Sequence, residues 1–551
     1  MKNMSVQTAD FVVRERYLNA IEAFIDKPVV KVLKGMRRVG KSVLMRLLIE
    51  RLVNRGVPVA NILYINKESL QFDELKDYRD LYRYAGNYFQ GGTAATMASA
   101  AAIPAASAPA SANAANAASA PASASAASVA ASANANAESA PASASAASVA
   151  ASANANAASA PASASAASVA APSSATTAPA PDLAPDLAAA QKNANFKDLT
   201  PNIALTPNIA PAGRYILIDE IQEIAGWERA VTSFLAEGLG DVIISGSNAR
   251  LLSSELATLI SGRYVEIPVY PLTFREFLIF RHGHPQGKGA TNTDEADAGH
   301  TDSAAHANAS TETEFMNYLK YGGLPGIHQL PFNDEIVFSY LNSILNTVLY
   351  KDVVTRHKIR DVSIFDRLVR YLFDNVGNIT TAKKIADYFK SQRLRTSVDT
   401  ILNYINYIEA SLLIDKVPRY DIKGKRLLEF SDKVFLNDIG LRHGLIGYRE
   451  RDINGLLENI IYKELQARGY KISIGVLDQM EIDFIAEKQN DKKYIQVCYS
   501  LGGEAAIERE FGNLEKIRDN YEKTVVSMDR FFPAERNGVR HRHIIDFLLE
   551  Q

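Results

Sequence analysis

Apolar residues at Val29, Val30, Val32 and Leu33 form a short run that stops just before Gly35. Beyond it, Val43, Leu44, Leu47, Leu48, Leu52 and Val53 recur at helical spacing. The pattern predicts a strand, a glycine loop and a helix. A second strand is predicted at 61–66, a third at 214–218 ending in Asp219, and a fourth at 241–245, with a helix at 227–236 between the last two. Strand and helix therefore alternate around a mostly parallel sheet. In such sheets ligands bind at the carboxyl ends of the strands, where Gly35, Asp219 and Ser247 fall.

Between 337 and 426 the pattern turns largely helical. A short amphipathic helix is predicted at 381–389. A second follows Thr396, which has Asp399 three residues on in capping-box spacing, and carries Val398, Ile401, Leu402, Ile405 and Ile408. Segments 412–420 and 426–430 then flank Asp421-Ile-Lys-Gly-Lys425, a hairpin signature, so helix, helix and hairpin in that order predict a winged helix-turn-helix. The remainder is mixed α and β: a helix at 457–468, strands at 471–474, 481–485 and 494–498, a helix at 504–521 and a strand at 524–528.

Two stretches break this periodicity. Residues 91–213 are built from Ala, Ser, Pro and Asn, and 119–138 recurs almost letter for letter as 139–158. Nothing large is available there to bury, so a long disordered insertion is expected. The polar stretch 283–313 reads as a second disordered loop. Closure entropy grows slowly with loop length, so a core tolerates both on its surface. The expected domains are 1–90 with 214–336, 337–450 and 451–551.

Composition narrows the function classes. The 551-residue chain has a formal charge of -2, so nucleic-acid binding has to rest on a local patch. A single cysteine, Cys498, excludes an internal disulfide and any multi-cysteine zinc site. Neither a signal-peptide core nor a membrane span is indicated, and a cytoplasmic location is expected.

The candidate chemistry centres on Gly35-Met36-Arg37-Arg38-Val39-Gly40-Lys41-Ser42, which fits the phosphate-loop pattern GxxxxGK[ST]. Successive backbone N–H groups of such a loop cradle phosphate, and the following helix N-terminus favours the same charge. Lys41 would reach the terminal phosphates, and Ser42 would offer its hydroxyl to a nucleotide-bound Mg2+. Arg37 and Arg38 either add phosphate contacts or face solvent. Asp219, at the end of Tyr215-Ile-Leu-Ile, suits the metal, and Glu220 beside it suits polarisation of the attacking water. Ser247 and Asn248 are candidates to touch the terminal phosphate, with a plain turn as the alternative. Arg263 is a candidate to neutralise developing charge, with a surface ion pair as the alternative.

These motifs, together with Gly226-Trp-Glu228, Tyr270-Pro-Leu-Thr-Phe-Arg-Glu-Phe277, Asn437-Asp-Ile-Gly-Leu-Arg442 and Glu481-Ile-Asp-Phe484, resemble the prokaryotic AAA-type ATPases that carry a C-terminal DUF4143 domain. The resemblance implies an AAA core of the additional-strand type that binds ATP and Mg2+, with Lys41, Ser42, Asp219 and Glu220 in the roles argued above. It implies sensor and finger roles for Asn248 and Arg263. The C-terminal domain resembles the restriction-endonuclease-like α/β fold, in which Glu458 and Asp483 match two metal ligands. The third position reads Gln496-Val-Cys498, without the lysine that active members place there. Cleavage is therefore the least expected activity, and Cys498 is expected in the core.

Residues 378–426 hold ten Lys or Arg against five Asp or Glu. Lys390, Arg393 and Arg395, with Lys423, Lys425 and Arg426 in the hairpin, lie where a winged helix would meet the phosphates of duplex DNA, and Thr400, Asn403 and Asn406 where it would meet base edges. The alternative is a module that only packs on the ATPase core and relays its state. Three functions remain open: an ATPase switch, a DNA-binding module on an inactive scaffold, and an ATP-gated nuclease. Whether subunits assemble, as an Arg263 finger acting across subunits would require, also stays open.

Overall fold

In the computed structural model the apolar runs become β1 (Val30–Lys34), β2 (Ile62–Asn66), β3 (Tyr215–Asp219), β4 (Asp241–Gly246) and β5 (Tyr264–Pro268), paired in the order β2-β3-β4-β1-β5. Every pairing is parallel. The structure describes residues 11–90, 213–248, 260, 262–283 and 302–550, so the expected disorder of 91–212 lies outside the described residues. Central strands read as continuous apolar runs because both faces are covered. The helix Lys41–Asn54 packs Leu44, Leu48 and Leu52 with Leu33, Leu217 and Ile243 on one face. Trp227, Val231 and Phe234 of the helix Trp227–Glu237 meet Val32, Ile216 and Ile244 on the other. The sequence pattern missed β5, because this edge strand buries only Ile267.

The helix Asp302–Tyr321 corrects the expectation of a disordered loop over 283–313. Its C-terminal turns bury Phe315 and Leu319, and alanine-rich sequence extends the helix backward from that anchor. The rest of that loop, 284–301, lies outside the described residues. Helices Asp334–Thr347 and Val362–Asp374 follow, separated by a π-helical segment, Val348–Thr355.

Helices Ala382–Ser391 and Val398–Ala410 precede the hairpin of β6 (Ile414–Asp421) and β7 (Arg426–Leu436). The second helix starts one residue later than its sequence suggests. Ser397 Oγ accepts the Thr400 N–H at 3.0 Å and is the cap, while the Thr396 hydroxyl is buried without a partner. The hairpin does not stand free. β6 pairs in parallel with β8 (Lys471–Leu477), matching Arg419 with Ile474 and Asp421 with Val476. It thus joins β9 (Met480–Lys488), β10 (Asp491–Val497), β11 (Glu522–Ser527), β12 (Glu535–Arg536) and β13 (Val539–His543) in one eight-stranded sheet ordered β12-β13-β11-β10-β9-β8-β6-β7. That sheet crosses the division expected at 450/451. The helix expected to reach 521 ends at Glu515, and the chain beyond turns to bury Ile517.

Candidate functional site

Close packing shapes the phosphate loop before any ligand chemistry enters. A Cβ on Gly35 would sit 2.3 Å from the Val269 carbonyl oxygen, so only glycine lets β1 turn there. Gly40, at φ 98°, caps the helix Lys41–Asn54, and Arg38 is held at φ 67° beside it. Arg14 braces this loop from outside. Its guanidinium donates to the carbonyls of Val39 (3.2 Å) and Tyr270 (2.9 Å) and pairs with Glu276 at 2.7 Å. Glu276 was legible as the end of a capping box with Thr273, but its partner lies 262 residues upstream.

Lys41 is 4% exposed, and its ammonium donates to the carbonyls of Gly35 (2.8 Å) and Met36 (3.0 Å) while standing 3.7 Å from Glu220 Oε1. Burial lowers its pKa, and the carboxylates of Glu220 and Asp219 offset only part of that. Asp219 bonds with the Ser42 and Ser245 hydroxyls, and burial pushes its carboxyl upward. A hydroxyl and a carboxylate side by side are the oxygen donors that Mg2+ takes together with nucleotide phosphates, so the residues present fit that ion.

Glu220 sits at φ 54° with its carboxylate bonded to the Gln222 amide and, at 2.9 Å, to the Ser247 hydroxyl. Burial alone would raise its pKa, but Lys41, Gln222 and Arg37 outweigh it and hold the group below its ordinary value. An ionised carboxylate beside the phosphate loop is what a general base requires. Ser245 and Gln222, which sequence reasoning missed, fix this pair. No spacing rule gives either a role, and both are recognisable as partners only once β3 and β4 are neighbours.

The expected residues separate into two groups. Gly35, Arg37, Arg38, Val39, Gly40, Lys41, Ser42, Asp219, Glu220 and Ser247 converge, with Met36 packed beneath the loop at 2% exposure. Arg37 lines the same cavity, with its guanidinium paired to Asp352 and, at 3.1 Å, to Glu68. Asn248 is buried at the end of β4, next to the loop, since the Gly35 N–H donates to Gly246 at 3.4 Å. Arg263 is not brought in. It precedes β5, and its carbonyl accepts the Val30 N–H, which puts it at the edge of the sheet opposite the phosphate loop. Parallel pairing enforces this, because β1 and β5 begin together and only their far ends reach the loop.

A cavity of about 390 Å³ opens beside Gly40, Lys41 and Ser42, and Phe280, Pro325 and Tyr340 line its opposite wall. Its size suits a nucleotide.

A second polar cluster lies in the eight-stranded sheet. The Lys433 ammonium, 3% exposed at its side chain, stands 2.6 Å from Glu458, 3.0 Å from Glu481 and 3.5 Å from Asp483. The lysine missing from Gln496-Val-Cys498 is thus replaced in space by one from the hairpin. Burial and mutual repulsion push Glu458 and Asp483 upward, since one ammonium is shared among three carboxylates. Cys498 is a buried core residue whose thiol burial pushes up to about 12, as its apolar surroundings imply. Among the described residues no group of three or more His, Cys, Asp or Glu side chains is arranged to hold a metal ion, and no helix is long and apolar enough to cross a membrane.

Comparison with known proteins gives the site a family. An AAA domain model matches residues 183–278, which include the acidic pair, and a domain of unknown function, DUF8612, matches 312–452. DUF8612 is thus the family model matched, and not the DUF4143 domain that the resemblance implied for 451–551; it spans the π-helical segment, the helix pair and the hairpin. An uncharacterized protein of Haemophilus influenzae is 35% identical over 336 residues, 61% of this chain and 78% of that one. An uncharacterized protein of Methanocaldococcus jannaschii is 29% identical over 309 residues, 55% of this chain and 64% of that one. Among solved structures, a Walker-type ATPase of Pyrococcus abyssi covers 81% of this chain and 99% of its own at 11% identity and TM-score 0.42. The ORC1 protein of Aeropyrum pernix in complex with DNA covers 80% and 94% at 12% identity and TM-score 0.28. Neither structural likeness is close enough to carry an argument. With its phosphate loop, acidic strand end and AAA-domain match, this AAA-type P-loop protein, nucleotide-binding and of ATPase type, belongs to one family with the Haemophilus influenzae protein.

Proposed function

We propose that the protein is a Mg2+-dependent ATP hydrolase working as a switch, in which the nucleotide state repositions the helix pair, the hairpin and the sheet they join. The observation that carries this reading is the meeting of Lys41, Ser42 and Glu220 at one cavity, with buried Asp219 bonded to Ser42 and Glu220 held ionised. In the mechanism the loop amides and Lys41 bind phosphate, Ser42 and Asp219 would hold the ion, and Glu220 accepts a proton from water as the water oxygen bonds to the terminal phosphorus and the bond to the bridging oxygen breaks, releasing ADP and phosphate. The ion supplies charge neutralisation on the phosphate oxygens. Ser247 and Gln222 orient the Glu220 carboxylate, and Asn248 is the sensor in this scheme. Arg263 would act only on a nucleotide bound by another copy, so its role requires an oligomer. Purified protein should bind ATP with Mg2+, Lys41→Ala should abolish binding, and Glu220→Gln should bind without turnover. Unchanged turnover in both variants would sink the proposal.

Duplex DNA contact through 378–426 is a second reading, favoured by one observation. The outward face of the helix Val398–Ala410 leaves Leu402, Asn403 and Asn406 exposed, beside exposed Lys390, Arg393 and Arg395. Lys423 contributes less than its sequence position suggests, because it pairs with Asp478 at 2.6 Å. Binding that falls steeply with salt and weakens in Arg393→Ala/Arg395→Ala would support it. Cleavage at Glu458 and Asp483 is disfavoured, since Lys433 already occupies the space between the carboxylates.

A further inference from the structure

Asp352 lies on the π-helical segment Val348–Thr355, far along the chain from the phosphate loop, yet two cations meet on it, one from the loop and one from the end of its own segment. Arg37 of the loop gives it a two-pronged contact, with Nε donating to Oδ2 and Nη2 to Oδ1 at 3.1 Å. Arg356, one turn further on, stands 4.0 Å from Asp352 and 3.6 Å from Glu223. Glu223 closes the short turn that begins directly after Glu220. The loop carrying Lys41 and the turn carrying Glu220 are thus both linked to one carboxylate that is 4% exposed.

A carboxylate buried to this extent persists as an ion only if it is paired, and a planar two-point contact with arginine fixes direction as well as charge. Arg37 precedes Arg38, whose backbone is held in the left-handed region, and Arg14 grips Val39 on the other side. The strained turn is therefore clamped at both ends. A π-helical segment is also a form that chains adopt seldom, and mostly where a side chain must be presented for function.

We propose that Asp352 is a positioning residue for the nucleotide chemistry. Acting through Arg37 and Arg356, it holds the phosphate loop and the Glu220 turn in one mutual geometry, so the site is complete only while 348–355 is docked against it. This inference rests on the ATP-hydrolase reading.

The test uses the full chain, with turnover measured at graded ATP and binding measured with methylanthraniloyl-ATP. Asp352→Asn and Arg37→Ala should each lower kcat/KM about tenfold, mostly through kcat. The double variant should be no worse than either single one, because both break the same contact, and Asp352→Glu should recover part of the loss. Losses that multiply in the double variant, or an unchanged kcat in folded Asp352→Asn, would overturn the inference. If Asp352→Asn does not fold, the comparison of Arg37→Lys with Asp352→Glu decides, since an acting contact requires both to lower kcat and an idle one leaves both at the parent value. Lys41→Ala separates the two levels. If it leaves methylanthraniloyl-ATP binding intact, the hydrolase reading fails; if it abolishes binding while Asp352→Asn changes nothing, only the positioning role fails.

Discussion

Two groups of buried carboxylates in this protein each meet a lysine, one at Asp219 and Glu220 and the other at Glu458, Glu481 and Asp483. At the first, Lys41 is 3.7 Å from Glu220 and spends its hydrogen bonds on the loop carbonyls, and the carboxylates are satisfied by Ser42, Ser245, Gln222 and Ser247. At the second, Lys433 touches three carboxylates directly. The first arrangement leaves charge directed at a cavity, where in the proposed reading phosphate and a metal ion would complete it. The second closes on itself, since the ammonium takes the place a cation would need. Similar residue types thus make an open candidate site in one region and a structural joint between β7, β9 and the helix Ile453–Ala467 in the other.

The strongest way to break this contrast is Glu220→Gln, which should lower turnover about 1000-fold while preserving ATP affinity; equal loss of both would make Glu220 a binding residue. Next come the two lysines. Lys41→Ala should abolish measurable ATP binding, a loss of about 100-fold or more, with little change in unfolding midpoint, and Lys433→Ala should leave ATP binding intact but cost about 3 kcal/mol in denaturant unfolding, because it strands buried carboxylates. A reversal of that pattern would remove the distinction between the regions.

A smaller effect concerns pH. Burial among Phe277, Phe280 and Phe332 lowers the His328 pKa to about 3, and Arg281 adds to the shift. Unfolding restores an ordinary histidine, so between pH 6.5 and 3 the unfolded chain binds the extra proton and stability falls as pH falls. His328→Phe should remove about 1 kcal/mol of that loss per pH unit, read from denaturant melts at pH 7 and pH 5. Smallest of all is Lys423→Ala. Its pair with Asp478 is exposed on both sides, and the change in stability should stay within about 0.5 kcal/mol. A larger cost would show that the hairpin depends on that contact to join the sheet.

Much of the nucleotide site was legible because its parts obey local rules. A glycine-framed loop between an apolar strand and a helix, and an acidic pair at the end of Tyr215–Asp219, are written in consecutive residues. The partners Asp352, Arg14 and Lys433 were not, since each acts across hundreds or tens of residues with no spacing rule to mark it. The placement of Arg263 outside its own subunit's site was hidden for a related reason. Its motif is local, but its usefulness depends on which end of β5 it occupies.

Sequence alone determined the strand–loop–helix unit, the parallel alternation and the helix, helix, hairpin order, because backbone propensity and burial periodicity act over a few residues. Tertiary structure decided the rest. It set β5 beside β1, merged the hairpin into the C-terminal sheet, sent Lys433 among three carboxylates and brought Asp352 to Arg37. These outcomes depend on which faces bury against each other, and a buried charge has a low-energy place only where folding delivers its partner.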